Sequence, residues 1–215
     1  MRRSILITII ILIGVSMSAL VLIYNLGQQP EIEIQASESY ICADDLTESE
    51  LSVTPLSYDD NNLIRSALER HDIQMSSSLE FSGEKAAEFC SFFADGTVPV
   101  YCTSTELVQS GEFLGNVHMV GTTDEPSAVL GVVRSDTIPS GVHTVTAVAD
   151  SIIGSVFECT GGTSALWIEQ LSDRHTREST MATKSTIDGL PTPVLLELTG
   201  SSGNYLWTIL IGNTP

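Results

Sequence analysis

Four cysteines and four histidines are the side chains of this chain best suited to binding a metal, forming a cross-link or moving a proton. The cysteines are Cys42, Cys90, Cys102 and Cys159. An even number in an oxidising compartment points to disulfides. Four cysteines allow three pairings, and Cys90–Cys102 with Cys42–Cys159 is preferred. Cys90 ends a predicted helix, and Cys102 ends the predicted strand that follows it. Zinc binding is the rival reading, but no pair has the short C-x₂₋₄-C spacing of a zinc site. Buried thiols are the third reading. The histidines are His71, His118, His143 and His175, and none lies three or four residues from another. His118-Met119 has the ligand types for a soft metal, yet Met119 falls in a strand-like pattern that assigns it to the core. No metal and no cofactor is assigned.

Hydrolytic chemistry needs a nucleophile, a base and an orienting acid in contact. Ser140, His143 and Asp150 are close in sequence, but strand alternation separates neighbours and such sets are assembled in space. No G-x-S-x-G elbow occurs. Thr160-Gly161-Gly162-Thr163 lacks the lysine and spacing of a phosphate loop and reads as a turn. Asp44-Asp45 and Asp188-Gly189 do not match a calcium-binding loop. None of the six asparagines heads an N-x-S/T acceptor. No catalytic residue is assigned.

The elements that would position these groups read as α+β. Asp60 to Asp72 places Leu63, Ile64, Ala67 and Leu68 on one helical face, with Asp59, Asp60 or Asn61 as candidate cap. A second helix opens at Ser82, takes its apolar side from Ala86, Ala87, Phe89, Cys90 and Phe93, and ends at Asp95-Gly96. Strand patterns follow. Val98 to Cys102 is a short apolar run. Val117 to Thr122 and Ala128 to Arg134 form a hairpin around residues 123–127. Pro139-Ser140-Gly141 reads as a turn, Val142 to Ala149 as a half-buried strand, and Ile152 to Cys159 as another. The stretch IPSGVHTVTAVAD resembles a late strand of an immunoglobulin-like domain, a common pattern that identifies no family. Ser164 to Leu171 reads as a short helix and Ser172 to Asp188 as an exposed loop. Val194 to Leu198 and Tyr205 to Ile211 form an antiparallel hairpin around residues 199–204. The expectation is two short helices followed by an antiparallel sheet or sandwich of about six to eight strands. No solenoid-type repeat is present.

The N-terminus is of another kind. Ser4 to Tyr24 is uncharged and apolar, and a helix of that length spans roughly 30 Å, one hydrocarbon core. Tyr24 suits the interface, and Gly27 and Pro30 stop the helix. Arg2 and Arg3 precede the run and the next base is Arg65, so the positive-inside rule puts the N-terminus in the cytoplasm and the rest outside. A cleaved signal peptide, cut after Ser16-Met17-Ser18, is the alternative, although the apolar run continues past that site. A lipoprotein is disfavoured because the first cysteine is Cys42. A type IV pilin is a third reading, but the acidic residue near the start of its helix is missing. Gly14 and Ser18 form a small-xxx-small pair, read here as lipid-facing. The expected organisation is an anchor at 1–27, a linker or short edge strand at 28–40, and an extracytoplasmic domain at 41–215. The expected partner of residues 4–24 is the lipid bilayer.

Charge narrows the function. Twenty-seven acids face nine bases, a net charge of −18, and every acid follows the apolar run. Such a surface repels nucleic acid, so no nucleic-acid partner is expected. It is either a solvated surface suited to high salt or one that binds cations or a basic partner. The leading function is a non-enzymatic envelope protein that acts through protein or small-ligand contacts at the cell surface. The alternatives are a membrane-anchored hydrolase with a site assembled from distant residues, and an accessory subunit of a membrane complex.

Overall fold

The computed structural model describes residues 33–35, 56–90, 99–158, 163–187, 190 and 192–212. Alternating inward and outward side chains build its long strands. They are β4 (Tyr101–Gln109), β5 (Glu112–Gly121), β6 (Pro126–Ser135), β7 (Ala182–Ile187), β8 (Val194–Ser201) and β9 (Asn204–Gly212). Three short strands, β1 (Glu33–Gln35), β2 (Ile73–Met75) and β3 (Leu79–Ser82), complete one sheet. Its order is β1-β7-β8-β9-β6-β5-β4-β2, and β3 also pairs with β4. Every pairing is antiparallel except β1 with β7. The architecture is therefore α+β with a single sheet.

Among the described residues four helices accompany it: α1 (Asp60–Glu69), α2 (Glu84–Phe89), α3 (Ile138–Val156) and α4 (Ala165–Glu178). α1, α3 and α4 lie side by side over one face of the sheet. α3 is in the middle, over β6 and β9, and α4 covers β7 and β8. The main core sits between these layers. It includes Ile64 and Leu68 of α1, Val148 and Ile152 of α3, Ile168 of α4, and Trp207 and Ile209 of β9. Gly131 of β6 leaves room for the Ile152 side chain, and a Cβ there would come within 2.6 Å of it. The chain order repeats itself. A helix precedes the meander β4–β5–β6, another precedes β7–β8–β9, and the two meanders join through their last strands, β6 and β9.

α2 is the exception in the helical set. It belongs to a separate small cluster of Ala86, Cys90, Cys102 and Val120, with Phe81 packed against it. Cys102 and Val120 alternate with the core-facing Thr103 and Met119, so this cluster lies on the opposite face of the sheet.

The two hairpins expected from sequence are present, as β5–β6 and β8–β9. The second turn is tighter than expected: Ser202 and Gly203, at φ 52° and 90°, form a two-residue loop. Both central residues at positive φ are what a type I′ hairpin requires. Three expectations are corrected. Val142 to Ala149 and Ile152 to Val156 are not strands or immunoglobulin-like; they form α3. The stretch is rich in β-branched residues, but its inward positions Val145, Val148, Ala149, Ile152, Ile153 and Val156 recur with helical spacing. Pro139-Ser140-Gly141 is its first turn, because the Thr137 side chain accepts from the Ser140 amide and proline is tolerated there. Ser172 to Asp188 is not a loop over its described part, since it holds the second half of α4 and all of β7. The two short helices expected before the sheet become four helices among the described residues.

Other expectations shift at their edges. α1 ends at Glu69, and Leu63 points to solvent while Asn61 takes an inward place. β1 adds part of the anticipated linker to the sheet edge. Residues Glu33–Pro215 form one unit, and Met1–Ile32 form another that lies outside the described residues. The expected membrane span at 4–24 falls in that second unit. Among the described residues no helix is long and apolar enough to cross a membrane.

Candidate functional site

The sequence between β6 and α3 must turn the chain from the sheet into the helical layer. Thr137 caps α3 with its side chain, and Ile138 and Pro139 follow in the first turn. Across from them, α4 presents Glu169, Ser172, Asp173 and Thr176 at helical spacing. The β8–β9 turn supplies Gly203, and the start of β9 supplies Tyr205. These three elements enclose a cleft of about 730 Å³. Ile138, Val142 and Tyr205 form an apolar floor continuous with the main core. A smaller recess of about 260 Å³ shares Ile138, Thr176 and Tyr205 and reaches His175.

The rim of the larger cleft carries three carboxylates, Asp136, Glu169 and Asp173. All three are exposed, and none pairs with a base among the described residues. Glu169 and Asp173 are four residues apart on one helix face, a like-charge spacing that costs a helix about 0.2–0.5 kcal/mol. The next turn shows the opposite arrangement, with Arg174 bridging to Glu178 at 3.9 Å. The cleft thus combines an apolar floor with uncompensated negative charge.

A buried polar seam fixes α4 against β7 behind the cleft. The Trp167 indole N–H donates to the Ser185 hydroxyl at 2.6 Å. The His175 Nδ1 meets the Thr183 hydroxyl at 3.0 Å, and its Nε2 meets the Gly200 carbonyl at 3.1 Å. The carbonyl can only accept, so Nε2–H donates to it. The His175 ring packs edge-on to Tyr205 with centroids 6.1 Å apart. The cleft floor therefore has a fixed backing.

The other residues singled out from sequence fall elsewhere. Cys90 and Cys102 form a disulfide with a Cα–Cα distance of 6.5 Å, inside the usual range for such a bond. Cys42 and Cys159 lie outside the described residues, as do Asp44-Asp45, Asp188-Gly189 and Thr160 to Gly162. His118 is buried on β5, with Nδ1 4.0 Å from the Cys90 sulfur. Burial pushes its imidazole down to about 4. Met119 is fully buried in the core. His71 and His143 are exposed.

Ser140, His143 and Asp150 share α3 but do not form a reacting set. The Ser140 hydroxyl donates to the Thr137 carbonyl, and the Asp150 carboxylate accepts from the Ser164 amide at 2.6 Å. Asp150 thereby caps the N-terminus of α4, where a negative group is favoured. Its own burial raises the carboxyl pKa, and the hydrogen bonds from Ser164 and Thr163 and the charge of His71 pull the other way. Among the described residues no group of three or more His, Cys, Asp and Glu side chains could hold a metal ion.

Sequence reasoning missed the cleft because its parts come from three separated segments. Two of those, the start of α3 and the second half of α4, carry the local pattern of a turn and a loop. The signal that could have found it is the Glu169/Ser172/Asp173/Thr176 spacing. No protein family, curated protein or solved structure matches the chain.

Proposed function

We propose that this protein is a single-pass, membrane-anchored envelope protein whose acidic α+β domain faces outside and works as a non-enzymatic interaction domain. The span at 4–24 holds it in the bilayer, with the N-terminus in the cytoplasm. The domain receives a basic side chain of a protein partner in the cleft between α3, α4 and the β8–β9 turn. The observation that carries this reading is the cleft itself, an apolar floor of Ile138, Val142 and Tyr205 beneath three unpaired carboxylates. An arginine or lysine has a matching build, an apolar stem with a cationic head. The Tyr205 ring adds a surface that attracts such a cation.

The test is a titration of the full chain in nanodiscs with N-acetyl-arginine amide and its neutral isostere N-acetyl-citrulline amide, followed by NMR. Arginine-selective shifts at Asp173, Thr176 and Tyr205 that weaken with salt are expected. Equal shifts with both compounds would remove the charge argument and leave an interaction cleft. Silence at the cleft with both probes would remove the site.

A further inference from the structure

The Cys90–Cys102 bond is the covalent tie of a small lid to the sheet. α2 has six residues, only Ala86 of them buried, and no side-chain cap at its start. Gly83 enters it at φ 58°, a conformation that suits glycine. The cluster beneath it comprises Ala86, Cys90, Cys102 and Val120 and is separate from the main core. Segments with few buried contacts are the ones that open locally without unfolding the rest. Both sulfurs are buried while the lid is closed. They differ in surroundings, because His118 Nδ1 lies 4.0 Å from the Cys90 sulfur.

We propose that Cys90–Cys102 is a reversible thiol–disulfide exchange site, in which an external dithiol attacks Cys102 and Cys90 leaves beside His118. When the lid opens, a thiolate of the dithiol bonds to Cys102 Sγ. The S–S bond breaks and its electron pair goes to Cys90 Sγ, where the Nδ1–H tautomer of His118 donates a hydrogen bond. The second thiol of the reagent then displaces Cys102. The dithiol ends as its own disulfide, and its two protons end on Cys90 and Cys102. His118 acts on the leaving sulfur, and leaving-group basicity is one of the terms that set exchange rates. Reduction removes the covalent tie between α2 and β4, while β3 stays paired with β4 through Phe81↔Cys102 and Ser82↔Tyr101, so α2 alone can swing about Gly83 and bare the Val120 side of the sheet. This site is independent of the acidic cleft, which lies on the helical side.

The experiment reduces the full chain in detergent micelles without denaturant. A brief exposure to glutathione traps the first adduct, and peptide mass spectrometry locates it. The expected result is a mixed disulfide on Cys102, complete reduction by dithiothreitol with unchanged tryptophan fluorescence, and slower reduction of His118→Leu. The slowing follows from the more basic leaving thiol, since a less basic thiol leaves faster. His118→Gln, which keeps an N–H donor, should recover part of the rate and serves if the leucine variant fails to fold. An adduct on Cys90, wild-type rates in both variants, or reduction only where denaturant also unfolds the main core would each overturn the proposal.

Discussion

Adding one methyl group at Gly141 tests how α3 is seated. Gly141 lies in the first turns of the helix, and a Cβ there would come within 2.6 Å of both the Trp207 indole nitrogen and the Ser135 hydroxyl. Those two groups are hydrogen-bonded to each other at 3.0 Å. In an exposed helix, Gly→Ala would stabilise by about 1 kcal/mol. Here overlap with a packed core costs about 1–3 kcal/mol, and disturbing the Trp207–Ser135 bond costs about 1 kcal/mol more. The steric terms win, leaving a net loss centred near 2 kcal/mol. For a domain of 150–250 residues that corresponds to a melting point lower by about 4–8 °C. The assay is thermal unfolding followed by the fluorescence of Trp207 in a Trp167→Phe background. That leaves one emitter, since the chain has two tryptophans. An unchanged or raised melting point for Gly141→Ala would mean that α3 does not rest on Trp207 and would refute the packing argument.

Four further outcomes are expected. Asp150→Ala loses the cap on α4 and about 1 kcal/mol in urea unfolding, whereas Asp150→Asn keeps an acceptor for the Ser164 amide and loses less. His118 has a depressed folded pKa of about 4, so its contribution is complete above the unfolded pKa of 6.5 and falls away as pH drops through 4. That loss amounts to about 3 kcal/mol at most, and a stability–pH curve of His118→Leu should lack it. Replacing Glu169 by Gln and Asp173 by Asn together should relieve about 0.2–0.5 kcal/mol of repulsion in α4 while weakening arginine binding measured by calorimetry. The intact mass of the protein from its native membranes should be full length and take up no alkyl groups until reduced. A mass cut near Ala19 would replace the anchor with a cleaved signal.

The parts of the fold legible in the sequence were those where one physical signal acts alone. β8 and β9 alternate cleanly around Gly203, so the hairpin could be read at once. The preferred Cys90–Cys102 pairing followed from a helix end meeting a strand, and the two cysteines are bonded. α3 is not legible because Val and Thr dominate residues 142–148 and suggest a strand, although the burial period is helical. The first half of α4 is legible as the helix expected from Ser164 to Leu171, whereas its second half and β7 are not, for a different reason. The contact surface of α4 and β7 is polar, with Ser185 under Trp167 and Thr183 under His175, so hydrophobic periodicity fades where the seam is formed. The cleft inherits both errors, since its walls are the start of α3 and the end of α4.

The seam between β6 and β9 has a consequence for assembly. Its eight register pairs, from Ala128↔Gly212 to Ser135↔Tyr205, join two meanders of the same build. Nothing in that ladder distinguishes a β9 of the same chain from one of a neighbour. If the halves part, two chains can trade them and rebuild the same hydrogen bonds in an intertwined pair, the general hazard of exchangeable elements. Ile152 is lodged over Gly131 from α3, the helix that packs on both β6 and β9, and so resists the parting of the two halves like a bolt. A bulkier residue at Gly131 would push Ile152 out and loosen the helix's hold on both halves, and size-exclusion at rising concentration would read any trade.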